Sequence, residues 1–288
     1  MRGFQRLSDQ QIGVLYGLGS SMGFGLMNFL VKLTPVSIPS SQVVFSRGIL
    51  GALILTPWAL KKLPLLIKKE NAVLWLRFFA GGASVACLFR NLSVVGVGDA
   101  SSMQNLSPFF VVLLSWILWG ERLSAFEALS MALIFLGVFL LQSPQGSSLA
   151  VWDLLIGILG AFLAGVAYLA LKRSAQKVSW VLVVWGFSFV SALFVLPFSA
   201  HHWVIPSVSQ GMGLLAVGIS GLVGQIFLTQ AFIRLSPAVA SALSLSSVLW
   251  GVTLEAIYFA RAPKPMTLLS YVLILLGVYV LQTHPRRA

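Results

Sequence analysis

Apolar residues run along this chain in blocks of bilayer-spanning length, and polar residues collect between them. A spanning helix needs about 20 apolar residues. Ten blocks qualify: 11–33, 40–60, 72–95, 99–119 and 124–142, then 151–173, 178–199, 210–234, 237–260 and 266–283. The separators are short and carry turn residues, as in Thr34-Pro35, Ile38-Pro39, Gly96-Val97-Gly98-Asp99 and Pro263-Lys264-Pro265. Only 143–150, which contains Ser143-Pro144-Gln145-Gly146, reads as a connector between larger units. The pattern predicts an all-α integral membrane protein of ten transmembrane helices.

The two halves repeat one another. Adding 140 to a residue number in the first half finds its counterpart without a gap: Gly17 and Gly157, Gly25 and Gly165, Lys32 and Lys172, Pro57 and Pro197, Gly81 and Gly221, Ser101 and Ser241. Leu136-Gly137-Val138 likewise meets Leu276-Gly277-Val278. The chain therefore divides into a five-helix repeat over 1–142, a connector over 143–150 and a second repeat over 151–288. An odd number of spans sends the second repeat into the membrane from the opposite side. Inverted repeats of this kind build many secondary transporters, because two opposed halves give one midplane site two exchangeable doors.

Composition agrees. Of 288 residues, 58% are hydrophobic and only 9% charged, against about a quarter charged in a soluble domain. The first apolar block is too long for a signal-peptide core and lacks an Ala-x-Ala cleavage site, so it reads as a retained helix. The net charge of +12 would suggest nucleic acid in a soluble protein. Here the basic residues sit mostly at helix ends, where they orient a membrane protein. With the N-terminus inside, the inner segments hold Arg2, Arg6, Lys61, Lys62, Lys68, Lys69, Arg122, Lys172, Arg173, Lys177, Arg234, Arg286 and Arg287, and the outer loops only Arg261 and Lys264. Both termini are thus expected in the cytoplasm. Lys32, Arg47, Arg77 and Arg90 remain within or at the edges of helices.

Metal, cofactor and catalytic chemistry find little support. Cys87 is the lone cysteine and His201-His202 offers too few ligands for a metal site. The glycine clusters follow no strand, so they are not phosphate loops. No nucleophile has an evident base. No cofactor, metal or nucleic-acid partner is expected, and no enzyme.

Polar groups inside spans are costly and default to functional candidates. In the first helix Gly17, Ser21, Gly25, Asn28 and Lys32 share one face, answered in the sixth by Gly157, Ala161, Gly165, Tyr168 and Lys172. Either lysine is alternatively a snorkelling residue. The fourth helix offers Ser101, Gln104 and Asn105 below Pro108, the eighth Gln225 and Gln230, and the ninth Ser244, Ser247, Trp250 and Glu255. Hydrogen bonding between helices is the competing reading for these hydroxyls and amides. Lys32, Arg47, Arg90 and Glu255 should share the outer half of the bilayer. Glu255 is expected to pair with Lys32 or Arg47 in an outer gate and to be the only plausible proton-coupling group. Arg90, or whichever cation is left unpaired, is expected to receive a carboxylate or phosphate of the substrate. The expected cavity set is Asn28, Arg90, Ser101, Gln104, Asn105, Tyr168, Gln225, Ser244, Ser247 and Trp250, with Lys32, Arg47 and Glu255 as gate or coupling residues.

The stretch LSPFFVVLLSWILWGERLS from Leu106 to Ser124, followed by ALIFLGVFLLQ from Ala132 to Gln142, resembles the fourth and fifth helices of EamA-type proteins of the drug/metabolite transporter superfamily. Gly120-Glu121-Arg122-Leu123-Ser124, with Pro108 half-way up the preceding helix, is the most specific part. The second repeat departs from it, with Ala260-Arg261-Ala262-Pro263 at the equivalent position and Val248 in place of the proline. The resemblance covers the whole chain. It implies a ten-helix transporter whose central cavity is lined by helices 1, 3, 4, 6, 8 and 9, moving small metabolites, often amino acids, across a bacterial inner membrane as a monomer or homodimer. No ATP-binding motif is present, so a gradient, the substrate's own or a proton's, must drive it. The expected substrate is a small polar, anion-bearing, amino-acid-like metabolite. A multidrug or lipid-amphiphile exporter of the same superfamily and a non-transporting membrane scaffold are the alternatives.

Overall fold

The computed structural model describes residues 8–35, 37–94, 100, 103–120, 122–142, 150–260 and 265–283. Every regular element among them is helical. We label the α-helices α1 (Asp9–Leu33), α2 (Ser40–Ala59), α3 (Ala72–Val94), α4 (Ser107–Trp119), α5 (Ala125–Gln142), α6 (Val151–Ala175), α7 (Trp180–Ala200), α8 (Val208–Arg234), α9 (Pro237–Leu245), α10 (Ser247–Tyr258) and α11 (Pro265–Thr283). Two short 3-10 helices, Leu60–Leu66 and Lys69–Asn71, join α2 to α3. Seven stretches among the described residues are long and apolar enough to cross a membrane; Ser107–Trp119, Ala125–Leu140 and Pro265–Val280 are shorter apolar helices.

Local chemistry sets the boundaries. Ser8 and Gln11 exchange side-chain and backbone bonds at the start of α1, as do Ser207 and Gln210 at the start of α8 and Ser124 and Glu127 at the start of α5. This reciprocal arrangement satisfies two backbone donors that a helix start leaves free. Gly120, at φ 66°, closes α4 in the left-handed conformation that glycine tolerates.

The fourth and ninth predicted helices are each broken rather than continuous. In the fourth, the chain turns at Asn105 and Leu106 and α4 resumes with Pro108 in its first turn. Proline brings no N–H for the Gln104 carbonyl and its ring clashes with that carbonyl, so the ladder is interrupted there. In the ninth the break falls at Ser246 with no proline present. The Ser244 hydroxyl donates to the Ser241 carbonyl at 2.7 Å, the local competition that lets serine unsettle a helix. The geometry is the same at both sites. Leu106 N–H donates three residues back to Met103 and Ser246 N–H to Leu243, while Phe109 and Leu249 return to the Leu106 and Ser246 carbonyls, all at 3.0–3.1 Å. Leu106 and Ser246 are 140 residues apart.

The offset of 140 also governs the packing. A Cβ added at Gly17 would strike Leu243, and at Gly157 it would strike Met103. At Gly25 it would meet Trp250, and at Gly165 it would meet Phe110. In both cases the second contact is the first with its partners exchanged between halves. The principal helix pairs follow suit: α1 with α8 answers α6 with α3, while α2 packs on its own counterpart α7 and α5 on α11. At that last contact a Cβ on Gly137 would lie 2.7 Å from Ile274 Cγ1, and one on Gly277 would lie 2.7 Å from Ile134 Cγ1. The crossed numbering makes α5 and α11 antiparallel. Packing is uneven along the bundle: eight of the nine residues of α9 are buried, whereas α10 has none.

Overpacking such a seam costs about 1–3 kcal/mol. Gly137→Val and Gly277→Val should therefore lower thermal stability in detergent to a similar degree, as equivalent halves of one contact; destabilisation by only one of the two would contradict the equivalence.

Candidate functional site

A small polar cavity lies where α2, α7 and α8 meet. Arg47, Gly48 and Gly51 contribute from α2, Phe187, Ser188 and Ser191 from α7, and Gly221, Leu222 and Gln225 from α8. Its volume is about 10 Å³, room for roughly one water. The hydroxyl of Ser191 and the amide nitrogen of Gln225 are buried here without a hydrogen-bond partner. Among the described residues Arg47 reaches only the Met27 thioether, at 3.3 Å, a weak acceptor.

A second arginine stands behind the Phe187 ring. Arg77, on α3, is 2% exposed and its Nε has no partner. Its guanidinium sits 4.1 Å from the Phe187 ring centroid and 5.9 Å from that of Tyr168. Tyr168 stacks on Phe232 at 5.2 Å, faces the Ser244 hydroxyl and lies within electrostatic reach of both arginines. Among the described residues neither Arg47 nor Arg77 has a carboxylate partner. Buried polar groups are ordinarily paired; the unpaired atoms here are the Arg77 Nε and the Gln225 amide nitrogen, which can only donate, and the Ser191 hydroxyl, which can donate or accept. Gln42 shows the ordinary case: fully buried, it donates to the Val204 carbonyl at 2.7 Å and accepts from the Val204 N–H at 3.0 Å.

The structure assigns the expected site residues unequally. Tyr168, Ser244, Gln225 and Arg47 come into one neighbourhood, together with Arg77, which the sequence counted only among helix cations. Arg90 is a correction. Arg90, or whichever cation was left unpaired, was expected to receive the substrate's anion, but Arg90 is paired with Asp153, an acid in the first turn of α6. Asn91 ties the same spot by donating to the Asp153 carbonyl at 2.9 Å. An acid in a first turn reads in sequence as a helix-dipole residue, which hid the role of Asp153. Of the two partners left open for Glu255, Lys32 is the one in contact, with Nζ 2.5 Å from Oε1.

Several others serve as packing or bonding groups. Gly17, Ser21 and Gly25 form the seam of α1 against α9 and α10, where the Trp250 indole N–H donates to the Ser21 hydroxyl at 3.1 Å. Trp250 is therefore an anchor between helices. Ser247 lies beside it, with its carbonyl against Gly25. Gln104 donates to Ser84 at 3.3 Å, Asn105 is half-buried in the first break and Asn28 is exposed. Ser101 lies outside the described residues. Lys172 does not snorkel: its ammonium donates to the Ile233 and Leu235 carbonyls at 3.1 and 2.9 Å, at the end of α8.

Two repeats, matched breaks in equivalent helices and a polar centre between them have a counterpart among known proteins. The pattern of the EamA-like transporter family matches residues 11–143 and again 151–283. This chain belongs to that family. It is 27% identical over 271 residues to the pseudopaline exporter CntI of Pseudomonas aeruginosa, covering 93% of this chain and 95% of that one. It is 26% identical to an uncharacterized transporter of Helicobacter pylori, over 83% and 84% of the two chains. Human solute carrier family 35 member G1 is 22% identical over 88% of this chain and 73% of its own. A solved crystal structure at 19% identity superposes with a TM-score of 0.80 over 93% of this chain and 95% of its own, a likeness of fold. The EamA chain is a multi-pass membrane protein of a transport family, and its family and relatives point to a transporter rather than an enzyme.

The two ion pairs differ in environment, and the difference is measurable. The Asp153 and Arg90 side chains are 9% and 36% exposed, whereas Glu255 and Lys32 are 28% and 56% exposed. Removing one partner of a fully buried pair costs up to about 3–5 kcal/mol, a cost that solvent reaching Arg90 reduces, while exposed pairs are worth about 0–1 kcal/mol. Asp153→Asn should therefore lower the unfolding temperature clearly more than Glu255→Gln; the reverse order would contradict the assignment of Arg90 to a structural clamp.

Proposed function

We propose that this EamA protein is a secondary active transporter that moves a small polar, anion-bearing metabolite across the inner membrane by alternating access. The observation that carries the substrate class is the buried, donor-rich centre formed by Arg47, Arg77, Ser191 and Gln225. Such groups cost stability while unpaired, and an anion supplies the acceptors they lack. A static scaffold gains nothing from leaving them unpaired. A carrier of lipophilic cations would need a buried acid where this centre is basic.

The architecture we propose is ten spans in two inverted five-helix halves, with the segment before α4 and α4 itself forming one broken span and α9 and α10 another. Exchange of contacts at an offset of 140, and the antiparallel α5–α11 crossing, support the inversion. Paired interruptions in corresponding helices are a feature of inverted-repeat carriers, whose sites lie near the midplane. The two halves rock about that site. The excess of basic residues in one set of loops supports cytoplasmic termini. Export is the favoured direction, supported by the likeness to the Pseudomonas exporter. Lys32 and Glu255 form the outer gate, with Glu255 the proton-coupling group; Asn28 lies one turn away on the same helix. Asn105, Ser244 and Ser247 flank the two breaks. The partners are the substrate, the bilayer and a proton, with a monomer or homodimer as the working unit.

Reconstitution tests this reading. Proteoliposomes loaded with labelled amino acids and organic acids should release an anion-bearing compound faster than protein-free vesicles; no release above that background would falsify transport by this chain. An imposed pH gradient should change the rate, and Glu255→Gln should abolish that response while leaving counterflow. A retained response removes Glu255 from coupling.

A further inference from the structure

We infer that the substrate carries two anionic groups, one taken by Arg47 and the other by Arg77, held on either side of Phe187. This deepens the transport reading and rests on it. The two cations belong to different helices, α2 and α3, and Phe187 links them: its ring lies against the Arg77 guanidinium at 4.1 Å and walls the cavity that Arg47 enters. Stacking uses the face of a guanidinium and leaves its in-plane N–H edges, the ones that grip a carboxylate bidentately. The unpartnered Nε of Arg77 is such an edge. On the Arg47 side, Ser191 and the Gln225 amide add two further free donors. One anion would neutralise one arginine and leave the other buried and uncompensated, which is costly. Two anionic groups neutralise both.

The backbone makes room for this pair in a repeat-related way. Gly81 and Gly221 are counterparts at the offset of 140. A Cβ on Gly221 would come 2.9 Å from Arg47 Cδ, and one on Gly81 would come 2.7 Å from Phe187 Cε2 and 3.3 Å from Arg77 Nη1. Each glycine clears the ground beside one arginine, although the arginines themselves are not counterparts: the residue equivalent to Arg47 is Phe187. In its present form the cavity admits about one water, so ligand binding must part α2 and α7 from their neighbours and stabilise the widened form. A linear dicarboxylate, with or without an amino group, has the required chemistry.

The test uses the purified full-length protein in detergent, with calorimetric titration of malonate, succinate, glutarate, adipate and glutamate against acetate, alanine and inorganic phosphate. At least one dicarboxylate should bind more tightly than every monocarboxylate. Arg47→Gln and Arg77→Gln should each weaken it about ten- to a hundredfold, and neither should lower the unfolding temperature of the ligand-free protein. If either variant fails to fold, Arg47→Lys and Arg77→Lys keep the charge, lose the fork, and should weaken binding by a smaller factor. Equal binding of mono- and dicarboxylates, binding insensitive to one arginine, preference for phosphate, or no binding of any dicarboxylate overturns the inference. Counterflow in proteoliposomes separates the two levels: exchange of a monoanion or alanine without preference for dicarboxylates retires the dianion and leaves the transporter.

Discussion

In a bilayer water does not push helices together, so this bundle depends on how closely its backbones can approach. Glycine is what permits the approach. Gly23 faces Gly224 between α1 and α8, Gly25 faces the Ser247 carbonyl, and Gly137 and Gly277 admit each other's helices. Because Gly25 recurs at the offset of 140 as Gly165, and Gly137 as Gly277, a single solution to the packing problem is used twice. It also determines where polar groups must go. A seam this close has no space for side chains, so the polar residues it excludes collect where helices break or diverge, around Leu106 and Ser246 and between α2, α7 and α8.

The interior separates two kinds of charge. Arg90 with Asp153 and Asn91, and Lys172 with the end of α8, are closed arrangements in which donors meet acceptors. They hold α3 to α6 and α6 to α8. Arg47 and Arg77 lack such partners among the described residues, and with Gln225 and Ser191 they leave the centre short of acceptors. The Phe187 and Tyr168 rings compensate Arg77 only in part, since a ring offers its quadrupole but no lone pairs.

Much of the fold was legible because the bilayer imposes length and the duplication imposes register: the segment bounds fall within a few residues of the helices. Pro108 announced the first break. The second break was invisible because serines, not a proline, cause it, and serine is common in helices that stay intact. The site was less legible because side-chain partnership depends on rotation and depth that sequence spacing does not give. Arg90 read as the free cation since Asp153 sits some 60 positions away, across the connector. Arg77, amid Trp75-Leu76-Arg77-Phe78-Phe79, read only as one of four cations within or at the edges of helices; its trace was the glycine one turn later, Gly81, shared with Gly221. The shared face on α1 showed in the spacing, but not that Gly17, Ser21 and Gly25 form a packing seam against α9 and α10.

The repeat is close in backbone but not in latches. Lys32 holds a carboxylate from α10, whereas its counterpart Lys172 holds two backbone carbonyls at the end of α8. Under the proposed alternating access, unlike latches mean unlike energies for the two forms, and the empty protein would not divide its time evenly between its faces. The fraction in each form scales the apparent affinity that each side experiences. Half-saturation would then differ between the two sides of the membrane even with one set of substrate contacts.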